Sequence, residues 1–327
     1  PEPPPKISTA IHRKHEFSSP VCQAKKTPAG TGLNRSDPPP TISLNRRPYP
    51  FSNRPETSTV CKDMNRLRWT DTHCHLDQIE NPQKALEDAL TSGVERIVAV
   101  SEGPESLKSV LHLGSRYPDR ILVGLGIHPV SAVRLDREVV EETLQAIQSR
   151  LPEAQVLGEV GLDHKWATDE SSQAWQLDVL RRQLNWAAHE RIPANFHSRR
   201  CERAVMNEAI RFHQKTGLGA QLHWFTHSKK LIRITNDAGI FISVGPRILD
   251  CEQTQKVVQT IDMDLLLLET DSPVPFSGKS ARPEWIHQVG HHVAQLRGIE
   301  ISELSIRTEA NFDRYLSMGQ DSEGTPR

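Results

Sequence analysis

Between residues 69 and 316 the sequence alternates short apolar runs with longer amphipathic stretches. The runs are often rich in Val, Ile and Leu, which is typical of strands that are buried on both faces. Between the runs, apolar residues recur at helical spacing, most clearly at Trp175, Val179 and Leu184. Alternation of this kind predicts βα units and a parallel sheet. The eight predicted strands are residues 69–75, 94–100, 121–127, 155–160, 192–197, 220–224, 240–244 and 265–269.

Eight βα units in about 260 residues match the usual size of a (β/α)8 TIM barrel. The alternative is an open, doubly wound α/β sheet, which usually carries a Gly-rich phosphate loop after its first strand. Residues 71–77 instead read Asp-Thr-His-Cys-His-Leu-Asp. We therefore predict an α/β fold of the TIM-barrel type, closed by a last helix at about residues 302–316.

Proline marks a boundary near the start of the chain, because 12 of the 23 prolines lie in the first 60 residues. Residues 1–63 have a net charge of +5, from 10 basic and 5 acidic residues, which leaves 30 against 36, or −6, for the rest. A Pro-rich, weakly apolar stretch cannot bury enough surface to offset its ordering entropy. We predict a disordered leader or tail at 1–63, a barrel domain at 64–317 and a flexible C-terminal tail at 318–327.

Charge and cysteine content exclude several classes of protein. The net charge of −1 excludes a polybasic protein that binds nucleic acid by bulk charge. The five cysteines form no CxxC pair, which excludes a disulfide framework and a thiolate zinc site. No apolar run is long enough for a membrane span, and no signal-peptide core is visible. We expect a cytoplasmic protein without membrane association.

The leader itself has three interpretations. It is a tail, a segment for organelle or nuclear targeting, or translated sequence upstream of Met64, where the composition changes. Its basic, acid-poor character is typical of transit peptides, whereas its prolines disfavour the amphipathic helix that such peptides form. Targeting by residues 1–63 is therefore the alternative to a purely cytoplasmic location.

Histidines and carboxylates fall where the predicted strands end. In a TIM barrel these ends share one face, on which the active site is built. His73 and His75 are two residues apart, and the period of two in a strand places both side chains on one face. His73 and His75 end the first strand, Glu159 ends the fourth, His197 ends the fifth, His223 is near the end of the sixth, and Asp271 follows the eighth.

Imidazole and carboxylate ligands suit Zn²⁺, Mn²⁺, Fe²⁺ or Co²⁺, and Mg²⁺ where carboxylates dominate. Six ligands exceed the four of one tetrahedral zinc, so two divalent ions that share Glu159 are the economical arrangement. Such a pair, of Mg²⁺, Mn²⁺ or Zn²⁺, can hold a hydroxide nucleophile for phosphoryl transfer. Any one of these histidines alone is more often structural than a ligand. Their joint placement at five strand ends indicates a metal centre.

Six short motifs resemble those of the TatD family of metal-dependent nucleases. They occur in the order of that family, and the resemblance extends from about residue 69 to residue 316. Several ordered motifs are far more specific than a lone His-x-His pair. They are Thr-Asp-Thr-His-Cys-His-Leu-Asp at 70–77, Gly-Ile-His-Pro at 126–129, Gly-Glu-Val-Gly-Leu-Asp at 158–163, His-Ser-Arg at 197–199, His-Trp-Phe at 223–225 and Glu-Thr-Asp-Ser-Pro at 269–273.

The resemblance implies a TIM-barrel hydrolase of the amidohydrolase-like superfamily with two divalent metals. It implies hydrolysis of DNA, typically as a 3′→5′ exonuclease on single strands, with RNA acted on by some members. Asp271 would be catalytic by orienting or deprotonating the attacking water, with Glu159 shared between the metals, and His128 would lie near the substrate phosphate. The resemblance assigns His73, His75, Glu159 and Asp271 to one metal and Glu159, His197 and His223 to the other.

Three further side chains are candidates for contact with substrate. Arg199 lies two residues past His197, so it shares that face and could bind a phosphate oxygen or pair with a barrel carboxylate. Trp166 and Trp224 lie on predicted loops of the active face. An indole there can stack on an unpaired base, although a Trp in such a loop is more commonly a packing residue.

We therefore predict a two-metal phosphodiesterase that trims ends of single-stranded DNA or RNA and needs no obligate protein partner. The alternative is hydrolysis of an amide, an ester such as an aminoacyl-tRNA linkage, or a lactone on the same centre. Related dinuclear barrels often bridge their metals with a modified lysine at the end of strand four, where this chain has Glu159, which favours the nuclease. A non-catalytic binding protein would lack ligands, and all six are present.

Overall fold

The computed structural model describes residues 67–319. Eight strands lie in the order β1 to β8, and each pairs in parallel with the next strand along the chain. This arrangement confirms the predicted TIM barrel. The strands are β1 (Trp69–Cys74), β2 (Val94–Val100), β3 (Ile121–Leu125), β4 (Val156–Asp163), β5 (Ala194–Arg199), β6 (Ala220–Leu222), β7 (Phe241–Val244) and β8 (Leu266–Leu268).

Helices follow the strands, as the alternating pattern predicts. In the longest of them, Val179 and Leu184 of the predicted apolar stripe are buried, and Trp175 is half-buried against the core. After β8, a short antiparallel pair, β9 (Pro275–Phe276) and β10 (Lys279–Ser280), precedes the last two helices. The helices are α1 (Pro82–Thr91), α2 (Pro104–Arg116), α3 (Pro129–Arg134), α4 (Arg137–Arg150), α5 (Glu170–Glu190), α6 (Glu202–Thr216), α7 (Lys229–Asp237), α8 (Glu252–Thr260), α9 (Ile286–Arg297) and α10 (Ile301–Ser317).

Alternate residues of the strands enter two different hydrophobic clusters. In β2, Ile97 belongs to a large cluster that includes many helix residues, whereas Val98 and Val100 belong to a smaller cluster. Because side chains two apart share one face of a strand, the smaller cluster lies inside the barrel. Phe312 and Tyr315 of α10 complete it and are fully buried. Since the first residues of β4 and β7 also contribute, α10 closes the end of the barrel where the strands begin.

The predicted strands β1, β3, β6 and β8 end one or two residues too late, whereas the predicted β4 and β5 end too early, and these last two corrections concern the site. The β3–β4 ladder stops at the pair Leu125–Leu157, but β4 continues to Asp163 while paired only with β5. A register shift in the β4–β5 ladder follows Leu157 and accompanies this departure from β3. Glu159 therefore lies inside β4 rather than at its end, and His197 lies inside β5, which runs on to Arg199.

The first and last strands meet at a seam made by side chains and loop backbone. The backbone N–H of Thr270 donates to Asp71 Oδ1 at 2.9 Å, and the Thr270 hydroxyl donates to Asp71 Oδ2. Above this pair, the N–H of Asp271 donates to the carbonyl of His73 at 3.0 Å, and that of His75 to the carbonyl of Ser272 at 2.7 Å. Burial raises the pKa of Asp71 to about 8, so its carboxyl is held in the seam at a cost in desolvation.

The predicted leader at 1–63 and most of the predicted C-terminal tail lie outside the described residues, so those domain boundaries stay predictions. Within residues 67–319, no helix is both long enough and apolar enough to cross a membrane.

Candidate metal centre

The six predicted ligands come together at the end of the barrel opposite α10. His73 is the next-to-last residue of β1 and His75 directly follows that strand, while His223 directly follows β6. Asp271 lies three residues past β8 and has a left-handed backbone, with φ of 53°. That conformation is uncommon for a residue other than Gly, and hydrogen bonds at the β8–β1 seam hold it. All six side chains except His197, which is partly exposed, are buried.

Four of these residues form a first cluster, which we define by its converging atoms. Asp271 Oδ1 lies 3.2 Å from His75 Nε2 and 3.5 Å from His73 Nε2. Glu159 Oε2 lies 3.4 Å from His75 Nε2 and 3.5 Å from His73 Nε2. Two imidazole nitrogens and two carboxylate oxygens thus surround one point between β1, β4 and β8.

The other oxygen of Glu159 belongs to a second cluster. Glu159 Oε1 lies 2.7 Å from His197 Nδ1 and 2.9 Å from His223 Nε2. The two nitrogens are 3.4 Å from each other. One carboxylate therefore offers a different oxygen to each cluster.

The separations in the first cluster fit a divalent cation. Metal–ligand bonds of about 2.0–2.1 Å at tetrahedral or octahedral angles put neighbouring ligand atoms roughly 2.8–3.4 Å apart. His73 Nε2, Glu159 Oε2 and Asp271 Oδ1 are also buried without a hydrogen-bond partner, which is costly unless a cation satisfies them. The described residues include three groups of possible ligand atoms, each with its atoms within 4.8 Å of one another: His73, His75 and Glu159; His73, His223 and Glu269; and His128, Glu159 and His197. These clusters can hold metal ions.

Ligand orientation in the first cluster depends on Asn195 of β5. Its side-chain N–H donates to the Thr72 carbonyl at 3.1 Å, which turns its Oδ1 toward His73 Nδ1, also at 3.1 Å. An amide oxygen only accepts, so His73 carries its proton on Nδ1 and leaves the Nε2 lone pair for a cation. Sequence reasoning missed Asn195, because its role depends on the register between β1 and β5 rather than on any local pattern.

Two further carboxylates face the imidazoles of the second cluster. Asp163 Oδ2 lies 3.4 Å from His197 Nε2, so His197 presents Nδ1 to the cluster. Glu269 Oε1 lies 3.7 Å from His223 Nδ1, and it accepts the N–H of Trp224 at 2.7 Å. Such outer partners fix ring orientation and raise ligand basicity. Asp163 could have been found from the sequence, because it shares a strand face with Glu159, four residues earlier.

His128 lies beside the second cluster, where its Nε2 is 3.3 Å from His197 Nδ1 and 3.5 Å from Glu159 Oε1. Its Nδ1 accepts the N–H of Val130 at 3.0 Å, in the first turn of α3. Burial lowers the pKa of His128 to about 4, so the ring is neutral at pH 7. A neutral ring that accepts at Nδ1 carries its proton on Nε2. His128 therefore presents an N–H to this cluster, and its ring also lies in a group of possible ligand atoms with Glu159 and His197.

The charge balance of the centre favours ionised carboxylates. Burial alone would raise the pKa of Glu159, but the positive charge that the surrounding imidazoles of His128, His223 and His73 carry when protonated holds it well below its usual range. Burial lowers the pKa of His75, yet nearby carboxylates outweigh this effect and raise it to about 10. The His75 imidazole therefore carries a proton when no cation is bound, and binding of a metal would displace that proton.

Arg199 is partly exposed in the last position of β5, paired in register with Asp163. Among residues 67–319 its guanidinium makes no ion pair, so the structure does not contain the alternative predicted contact, a salt bridge with a barrel carboxylate. The structure thus leaves its charge unneutralised on the face of the barrel that carries both clusters.

Comparison with known proteins agrees with this geometry. The family model described as TatD related DNase matches residues 70–317. The human protein named deoxyribonuclease TATDN3 is 31% identical over 257 residues, which cover 74% of this chain and 92% of that protein. The Bacillus subtilis protein YabD, named as an uncharacterized metal-dependent hydrolase, is 29% identical over 255 residues, or 75% of this chain and 97% of its own.

A solved structure gives the same result. The TatD homologue YjjV from Escherichia coli K12 superimposes with a TM-score of 0.67 at 26% identity, covering 77% of this chain and 98% of its own. The family model spans the whole barrel, from β1 to α10, and includes every residue of both clusters. The chain therefore belongs to the TatD-related DNase family of metal-dependent hydrolases.

Proposed function

We propose that this protein is a divalent-metal-dependent nuclease that hydrolyses phosphodiester bonds, as a 3′→5′ exonuclease on single-stranded DNA or RNA. The observation that carries the proposal is the shared carboxylate of Glu159, which faces one cluster of ligand atoms with each oxygen. Two adjacent cation sites suit a displacement at phosphorus, where an attacking and a leaving oxygen both need stabilisation. The name of the human relative, a deoxyribonuclease, also supports it.

We assign the six predicted ligands to two ions, of Mg²⁺, Mn²⁺ or Zn²⁺. His73, His75, Glu159 and Asp271 would hold one of them, and Glu159, His197 and His223 the other. When bound, these ions would supply Lewis acidity to the phosphoryl oxygens and make a water molecule acidic near neutral pH. Most of these ligand side chains are buried, so they would keep bulk solvent away from this chemistry.

The chain's own side chains would move the proton and position the substrate. Neighbouring imidazoles hold the pKa of Asp271 below its usual range despite burial, so its carboxylate is ionised and can accept a proton from the attacking water. His128 would donate a hydrogen bond from its Nε2–H to a non-bridging phosphoryl oxygen as negative charge develops there. Arg199 would contact the same phosphate as a charged fork.

A nuclease assay with matched variants tests the proposal. Purified protein with Mg²⁺ or Mn²⁺ should shorten a 5′-labelled single-stranded oligonucleotide from its 3′ end in single-nucleotide steps. The variants His75→Ala and Asp271→Asn should abolish this, whereas His112→Ala, at an exposed histidine of α2, should not. Equal activity in all variants would show a contaminating nuclease and refute the assignment.

Two further substrates test separately whether the enzyme is an exonuclease and whether it cleaves phosphodiester bonds. A circular single strand offers no end, so its cleavage would show an endonuclease and refute the exonuclease. Hydrolysis of a lactone or carboxylic ester by the same preparation, without any action on oligonucleotides, would favour the alternative chemistry on this centre.

A further inference from the structure

Trp166 is exposed in a loop that is otherwise anchored to the metal centre. It is 42% exposed, one of four exposed large hydrophobic side chains among residues 67–319. The backbone N–H of Trp166 donates to the carbonyl of Asp163 at 3.2 Å, and the backbone N–H of Ala167 donates to the same oxygen at 2.9 Å. The carboxylate of Asp163 faces His197 of the second cluster. The indole is thus held in solvent by a turn that starts at a positioning residue of the site.

The side chain of Arg134 lies over this indole. The guanidinium of Arg134 is 4.6 Å from the ring centroid of Trp166, within the range of a cation–π contact. Arg134 is the last residue of α3, the helix that begins after His128. In the described part of the chain, Arg134 forms no ion pair with a carboxylate. An aromatic face and an unneutralised positive charge therefore lie together on the active face of the barrel.

A second Trp–Arg pair in the same barrel shows what an ordinary packing pair looks like. The guanidinium of Arg137 lies 4.7 Å from the ring centroid of Trp175. Trp175, however, donates its indole N–H to the Ala132 carbonyl at 2.7 Å and packs against the main hydrophobic core. Within residues 67–319 the indole N–H of Trp166 has no such acceptor, and Trp166 is no part of that core. Burial and hydrogen bonding account for Trp175 but not for Trp166.

We propose that Trp166 and Arg134 form the position on which an unpaired base of a single-stranded nucleic acid stacks, next to the phosphodiester that is cut. The proposal rests on the proposed nuclease function and adds the side chains that would recognise an unpaired base of its substrate. The base would cover the exposed part of the indole, and Arg134 would sit near the adjoining phosphate. Because a base inside a duplex has no free face, this position selects single strands or frayed ends.

Binding to an uncleaved strand tests the proposal. Fluorescence anisotropy of a labelled single-stranded oligonucleotide, measured in EDTA to prevent hydrolysis, reports affinity. Stacking of one base on an aromatic side chain strengthens binding by roughly 5- to 150-fold, so Trp166→Ala should weaken it within that range and Trp166→Phe by much less. Matched controls are Ile306→Ala, at an exposed apolar residue of α10, and Arg137→Ala for comparison with Arg134→Ala. Neither control should change affinity.

An abasic scan of the oligonucleotide then locates the contact. One base at a time is removed, and a single position should weaken binding to the wild-type protein as much as Trp166→Ala does. At that position the loss should vanish in Trp166→Ala, because both changes remove the same contact. Equal affinity of Trp166→Ala and wild type, or the same abasic penalty in both, overturns the proposal. Coupled binding without any cleavage in Mg²⁺ or Mn²⁺ would instead refute the nuclease function and leave the stacking position intact.

Discussion

The imidazoles of His197, His223 and His128 lie 2.7, 2.9 and 3.5 Å from Glu159 Oε1, and they differ in which ring nitrogen carries the proton. His223 and His197 each have a carboxylate on the ring nitrogen that points away from the cluster. His128 instead has a backbone N–H there, from the first turn of a helix. A carboxylate accepts a proton and frees the opposite nitrogen for a cation, whereas a backbone N–H donates one and leaves a proton on the opposite nitrogen.

This difference makes a prediction for His128→Ala. We expect cleavage of a single-stranded oligonucleotide to slow by roughly 10²- to 10³-fold, as for the loss of one preorganised donor to a developing oxyanion. Its content of bound Mn²⁺, measured by mass spectrometry after gel filtration, should equal that of the wild type. His223→Ala is the matched comparison and should lose metal. Loss of metal from His128→Ala would show instead that the ring is a ligand.

At this scale, the sequence predicts side chains that follow a local rule. His73 and His75 could be identified from their period of two, and Asp163 could have been identified in the same way from Glu159. Asn195 could not, because it reaches His73 across the barrel and lies 122 positions away in the chain. The proton positions of His128 depend equally on a helix that begins only in three dimensions.

Among the elements, β4 does the most to shape the centre. It leaves β3 after Leu157 and continues beside β5 alone, so Glu159 projects between the two clusters. This departure brings the backbones of β4 and β5 very close at Gly161, which has φ of 156°. A Cβ atom there would lie 2.1 Å from the carbonyl oxygen of His197, so only Gly fits.

We predict that Gly161→Ala destabilises the fold by about 2–3 kcal/mol, because the two strands must separate to admit a methyl group. Urea unfolding followed by circular dichroism measures this loss. Gly278→Ala is the control, since Gly278 also has a positive φ, of 77°, but nothing lies within 4 Å of its Cβ position. The Gly278→Ala substitution should lower the free energy of unfolding by about 1 kcal/mol. Equal losses in the two variants would mean that the close approach of β4 and β5 contributes nothing.

The sequence predicts that these elements exist and in which order, because each buried strand needs an apolar run and each helix an apolar stripe. It predicts their ends less well where polar residues continue a strand. Residues 161–163 and 198–199 extend β4 and β5 by pairing with each other. Backbone hydrogen bonds hold these segments, and they leave no hydrophobic signature in the sequence.

In the whole molecule, the centre places several charged or polar groups in the interior around Glu159 and Asp271. Divalent cations that bind the folded state alone stabilise it by mass action, by about 2.7 kcal/mol at a concentration 100 times Kd. For a domain of this size, we predict that Mn²⁺ raises Tm by roughly 5–10 °C above the value in EDTA. Glu159→Gln keeps the shape of the side chain but loses its charge. The same rise in that variant, measured by scanning fluorimetry, would contradict a centre built on Glu159.

The seam between β8 and β1 also sets when the centre can exist during synthesis. Asp71 and Thr270, which close it, are 199 residues apart, and the first cluster draws His73 and His75 from one side and Asp271 from the other. A nascent chain that has reached only β7 already contains Glu159, His197 and His223, yet it lacks Asp271. Domains of this size acquire their long-range pairings last. The ribosome must therefore release nearly the entire barrel before a complete set of ligands meets, so unfinished chains carry no finished hydrolytic centre.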